Sequence, residues 1–126
     1  MKRLLVVVLL LLTVFSVTSW NSVQLKAYSR ELSDLLTQAE AAGRTGNWQA
    51  AQALTNRALQ RWRDKELYLH ITLRHADTDR VYLDFQEVRA LTLSRDVVSY
   101  APANQRLLAS IELLYEMEQL SLKNVL

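Results

Sequence analysis

His70 and His75 come first among residues that could do chemistry, because imidazole is the commonest protein ligand for transition metals. They stand five positions apart, about 140° round a regular helix, so they cannot reach one ion together. Helix-borne ligand pairs use spacings of three or four, and no Glu or Asp lies three residues before either histidine. His75 with Asp79 has a usable spacing, but two ligands do not make a site. Nucleophilic catalysis has as little support. The chain has no cysteine and two glycines, and it carries neither a Gly-x-Ser-x-Gly elbow nor a Gly-rich phosphate loop. No metal, no cofactor and no enzymatic activity are expected.

Polar residues on otherwise apolar helical stripes are more informative. Arg74 and Thr78 fall on the line of Leu67, Ile71, Val81 and Phe85, and Glu118 falls on the line of Ile111, Leu114, Leu122 and Val125. If these two helices form an antiparallel hairpin turning near residue 97, equal rise sets position 118 opposite position 76. Arg74, His75, Thr78 and Asp79 then face Glu118, with Tyr115 close by. The plainer reading is an ion pair fixing helix register, in which the Arg74 guanidinium bonds both carboxylate oxygens of Glu118. Proton sensing through His75, or a ligand pocket, is the functional reading. Side chains that reach past the core to water are a third.

Charge narrows the partners. The net charge of +2 comes from 15 basic and 13 acidic residues, and Lys2 and Arg3 supply all of the excess. The remainder is neutral, which argues against nucleic acid, whose phosphates need clustered Lys and Arg. Arg57, Arg61, Arg63 and Lys65 could approach lipid phosphates, but Asp64 and Glu66 dilute them, and a solvated helix face explains them as well.

The elements that carry these residues are helical. One proline and two glycines are too few for an all-β chain. From Leu4 to Trp20 there is no charge, and these positions span about 25 Å as a helix, within reach of a bilayer's hydrocarbon core. Lys2 and Arg3 before the stretch and Trp20 after it suit a cytoplasmic N-terminus and an aromatic residue at the outer interface. Leu4, Val8, Leu12, Phe15 and Trp20 are the expected membrane anchor, residues 1–20, followed by a helical domain over 21–126. A cleaved signal peptide exiting at Val17-Thr18-Ser19 is the competing reading. Against it stands continuity, for no Gly or Pro precedes Gly43 and the periodicity runs on through Leu25, Tyr28, Leu32, Leu35, Leu36 and Ala39.

The first helix should stop at Gly43, in the left-handed conformation. Asn47 should cap a second, with Ala51, Leu54, Ala58 and Trp62 buried and Trp48 at its start. Gly46-Asn47-Trp48, Ala51 and Ala58 resemble the second half of a tetratricopeptide repeat, but one copy makes a helical hairpin and not an array. A third helix should begin with Asp64 as its cap and run to about Leu93. After a break at Ser94 to Asp96 a fourth should run to Asn124, with Pro102 in its first turn or kinking it if the helix starts at Val97. Leu113, Met117 and Leu120 lie on the side opposite its main stripe and are a candidate partner surface. The expected fold is all-α, an N-terminal transmembrane helix continuing into a small antiparallel bundle of about four helices.

Trp62 followed by His70 and His75, the stretch Thr78-Asp79-Arg80-Val81, and the run from Glu116-Met117-Glu118-Gln119-Leu120 to Lys123-Asn124-Val125-Leu126 resemble a bacterial family, domain of unknown function 4363. The resemblance implies an N-terminal hydrophobic segment and a small polytopic membrane protein as partner; it implies no activity. The expectation is a single-pass, membrane-anchored interaction or scaffold module that binds another membrane protein or itself, with its C-terminal domain outside the cytoplasm. The alternative is a secreted soluble protein with a small-ligand pocket between its helices.

The polar cluster is testable as it stands. Glu118→Gln should cost about 3 to 5 kcal/mol if it leaves a buried cation unpaired, and under about 1 if the pair is exposed. Combined with Arg74→Gln in a double-mutant cycle read by chemical denaturation, contact requires a coupling above about 0.5 kcal/mol. Simple additivity, there and in the same cycle with His75, would remove the pairing.

Overall fold

The computed structural model describes residues 1–65 and 75–125, with the side chains at 18, 21, 22, 75, 76, 119 and 121–125 outside the description. Among the described residues there are four helices and no strand.

Helix α1 runs unbroken from Lys2 to Arg44. Nothing in its sequence interrupts the backbone ladder, but its two halves differ in composition and in what covers them. Leu4, Val8, Leu12 and Phe15 are 45–69 % exposed, whereas Leu25, Leu32, Leu36 and Ala39, spaced at three to seven residues on one stripe, are buried. Among the described residues no helix is long and apolar enough to cross a membrane. Described side chains run without a gap only to Val17, and the apolar sequence continues to Trp20.

The turn after α1 corrects the expected role of Gly43. That residue lies inside the helix, and the left-handed residue is Gly46, at φ +84°. Gly43 is needed for close approach: a Cβ there would stand 2.9 Å from Tyr100 Cε1 and 3.2 Å from Trp48 Cζ3. The Gly46 and Asn47 amides donate to the Gly43 and Ala42 carbonyls at 3.1 and 2.9 Å, satisfying groups that a helix end leaves open.

Helix α2 spans Trp48–Asp64, and the Asn47 side chain caps it as expected by accepting from the Ala50 amide at 3.2 Å. Its buried face is Ala51, Thr55, Ala58, Leu59 and Trp62; Leu54 is only half-buried, because Thr55 and Leu59 continue the stripe from Ala51 better than it does. Asp64 is the last residue of α2 and not the cap of the next helix; it accepts a hydrogen bond from Gln60, one turn earlier, at 3.1 Å. The expected stripe residues Leu67 and Ile71 lie outside the described residues.

Helix α3 covers His75–Ser94 and α4 covers Val97–Val125. Arg95, at φ 57°, and Asp96 make the whole connection. Asp96 Oδ1 accepts from the Val98 and Ser99 amides at 3.1 and 3.3 Å and Oδ2 from the Ser99 hydroxyl at 2.8 Å. These bonds, the Ser99 hydroxyl's first, hold its carboxyl below its ordinary pKa. Because α4 begins at Val97, Pro102 sits in its second turn and removes the rung that would reach the Val98 carbonyl.

The four helices close a ring in chain order, with α1 against α2 and α4, and α3 against α2 and α4. Every neighbouring pair is antiparallel. Gln52 reaches the Thr92 carbonyl at 3.2 Å while the Trp62 and Phe85 rings meet at 6.2 Å, so α2 and α3 run in opposite directions. Ser110 bonds Asp84 at 3.1 Å and Arg106 meets Glu87 at 3.1 Å, which is the α3–α4 register that a turn near residue 97 requires. Leu32, Leu36, Trp62, Phe85, Tyr100, Leu107 and Ile111 fill the centre. Both described turns lie at one end of the bundle, called here the turn end.

Gly43→Ala gains about 1 kcal/mol of helix propensity but drives a methyl into the buried Tyr100 ring, an overpacking that costs about 1 to 3 kcal/mol. A net loss of roughly 1 to 2 kcal/mol is expected in urea unfolding. A gain would mean that the ring moves aside freely.

Candidate functional site

At the turn end the packing of Gly43 under Tyr100 gathers a polar set. Tyr100 and Trp48 meet edge to face at 5.5 Å. One turn further along α4 the fully buried Asn104 donates to the Leu36 carbonyl at 3.0 Å and to Glu40 at 3.3 Å. Glu40 also accepts from Gln105 at 2.8 Å and pairs with Arg44 at 3.3 Å. Burial, aided by the Glu40 charge, raises the Tyr100 hydroxyl to a pKa of about 12, and the nearby Thr55 hydroxyl offsets part of the shift. One carboxylate thus answers two amides and a guanidinium, an arrangement that fixes how α4 lies on α1.

At the opposite, open end the central residues are Tyr28 and Tyr115, whose rings stand edge to face at 5.8 Å. The Tyr28 hydroxyl donates to the Arg61 carbonyl at 2.5 Å, near the end of α2. Around it Arg61 pairs with Glu31 at 3.1 Å, and Lys65 lies 5.9 Å from the Tyr28 ring centre. Burial first, then the charges of Asp64 and Glu31, push the Tyr28 pKa well above its ordinary value.

Two open grooves flank this tyrosine pair. One, of about 440 Å³, runs between α1 and α4, with Lys26 and Arg30 on one wall, Glu112 and Glu116 on the other, and Tyr115 at its base. The other, of about 260 Å³, lies between α1 and the end of α2 and is lined by Tyr28, Glu31, Arg61 and Lys65 among others. A third, narrow cleft of about 60 Å³ between α3 and α4 is edged by Asp77, Arg80, Leu113 and Met117. Among the described residues no group of His, Cys, Asp and Glu is arranged to hold a metal ion.

The residues of the expected polar cluster divide. Thr78 and Tyr115 are buried. Glu118 is half-buried, and desolvation raises its pKa. Asp79 is exposed: the stripe of Thr78, Val81, Phe85 and Val88 takes the inward face, and the residue after Thr78 turns about 100° away from it. Arg74 lies outside the described residues, as does the side chain of His75. Tyr115 meets Tyr28 on α1, a contact the α3–α4 hairpin alone did not suggest. Leu113, Met117 and Leu120 are 48–60 % exposed. Asn104 and Glu40 were missed, although Asn104 sits between Tyr100 and Leu107 on the stripe of α4, which was signal enough.

The described residues form a small up-and-down bundle of four helices with a polar set at each end. The chain belongs to the domain of unknown function 4363 family, whose model matches residues 19–125. Comparison with curated proteins and with solved structures finds no match.

The raised tyrosines make the bundle sensitive to alkali. Above the ordinary value of 10.0 the unfolded chain releases phenolic protons that the folded chain retains, so stability falls as pH rises. The contribution of Tyr100 is complete below pH 10.0 and is lost as pH climbs towards about 12, and that of Tyr28 declines in the same direction. Urea unfolding across this range should show the decline, and Tyr28→Phe with Tyr100→Phe should flatten it.

Proposed function

We propose that the chain is a membrane-tethered helical interaction module. The observation that carries this reading is the unbroken α1. Its upper half is one wall of the bundle, while Leu4 to Val17 form an apolar helix exposed all round. Twelve Leu, Val and Phe residues lie between Leu4 and Val17, and transfer of these into lipid favours insertion by about 4 to 7 kcal/mol. With Thr18, Ser19 and Trp20 the sequence reaches the length of a single-pass helix. Lys2 and Arg3 set the N-terminus on the cytoplasmic side, so the bundle stands outside the cytoplasm.

The partner class is another membrane protein, small and polytopic, or a second copy. The exposed face of α4, Leu113, Met117 and Leu120, is the surface offered to it, an apolar strip that water leaves unpaired. No catalysis is proposed. A second reading, cleavage near residue 19 and release of a soluble binding protein, is favoured by the groove of about 440 Å³, whose opposed charges suit a small zwitterion.

Intact mass and membrane fractionation separate the two. The anchored protein keeps residues 1–20 and stays with membranes after alkaline carbonate, leaving only with detergent. Loss of those residues together with a soluble product would overturn the anchor.

A further inference from the structure

We infer that the last turns of α4 dip into the lipid headgroup layer beside α1, giving the bundle a second contact with the bilayer. The inference rests on the anchoring reading and adds to it the register of α4 on α1. Asn104 and Gln105 meet Glu40 near the turn end, and Tyr115 meets Tyr28 near the open end. The helices are therefore antiparallel over this whole length, and equal rise carries the register onward. Leu120 lies level with residue 23, Met117 with residue 26, Leu113 with residue 30, and Val125, where α4 ends, with residue 18.

Trp20 marks the boundary between acyl chains and headgroups. Measured from it at 1.5 Å per residue, Leu120 stands about 4.5 Å outward, Met117 about 9 Å and Leu113 about 15 Å. The headgroup layer on each side of a bilayer is roughly 5 to 7.5 Å thick. Leu120 is inside it, Met117 just outside it and Leu113 clear of it. Val23 on α1, at the level of Leu120, is likewise exposed, so the two helices present apolar side chains at one depth. By the same register Glu118, level with residue 25, stands about 7.5 Å outward at the edge of the layer, Lys26 about 9 Å, and Glu116 and Glu112, level with residues 27 and 31, about 10.5 and 16.5 Å.

This gives an occupant to the apolar strip that runs to the open end of the bundle; Leu93, Val97 and Val98 are exposed at the turn end, away from the bilayer. It also restricts any protein partner of α4 to approach within the plane of the bilayer, because lipid already covers the lower part of the strip.

The absence of cysteine makes single labels unambiguous. Leu120→Cys, Met117→Cys, Val98→Cys and Leu12→Cys, each carrying a polarity-sensitive fluorophore, are reconstituted in phosphatidylethanolamine and phosphatidylglycerol vesicles with spin labels on either headgroups or acyl chains. Headgroup quenching at 120 should exceed that at 98 by about twofold or more, with 117 between them. Quenching at 120 no greater than at 98, while 12 is quenched from the acyl chains, would overturn the inference and leave the anchor standing. No quenching at 12 would remove the anchor itself. A protected signal at 120 that tracks the protein-to-lipid ratio and ignores the quencher would assign the strip to a second copy and overturn the inference.

Discussion

A helix kinks sharply only where its hydrogen-bond ladder is broken, and from Lys2 to Arg44 nothing breaks it. This continuity sets the frame for the rest of the molecule. It ties the direction of the exposed apolar segment to that of the bundle, and it makes α1 the reference on which α2 and α4 are both laid. Were there a glycine or proline near residue 21, the two halves could rotate independently and the register of α4 would carry no information about the apolar segment.

The two ends of the ring are held by different physics. At the turn end a missing Cβ lets Tyr100 settle over Gly43, and Asn104 and Glu40 convert that approach into directed bonds that tolerate only one alignment. At the open end two aromatic rings meet edge to face, and one hydroxyl reaches a backbone carbonyl near the end of α2. The first arrangement specifies register; the second leaves grooves on both sides of the tyrosines. A bundle that needed only stability could have filled both ends with leucine.

Much of this was legible in the residues themselves. Leu25, Leu32, Leu36 and Ala39 announce the buried stripe of α1, Asn47 announces the start of α2, and the short break at Arg95 and Asp96 sets which residues of α3 and α4 stand opposite. What periodicity could not assign was the purpose of a glycine. Gly43 and Gly46 look alike in sequence, and only the neighbouring Tyr100 ring distinguishes one that makes space from one that makes a turn. The contact between Tyr28 and Tyr115 was hidden for a related reason: it depends on closure of the ring, a property of four helices together. Asp79 was set near Glu118 by the hairpin register alone, which gives the level of a residue along the helix but not the face it takes.

The rod itself has a mechanical side. At 1.5 Å per residue α1 is about 64 Å long, so pivoting it by 5° about its lower end sweeps its upper end through about 5 to 6 Å. Glu40, close to that upper end, carries the whole turn end with it. A thinner or thicker bilayer changes the tilt that a spanning helix adopts, and if α1 spans as proposed this geometry translates such a change into a sideways displacement comparable to the pitch of the helix. Anchored as proposed, α1 works as a lever, with the apolar segment as its pivot and the folded bundle as the arm that moves.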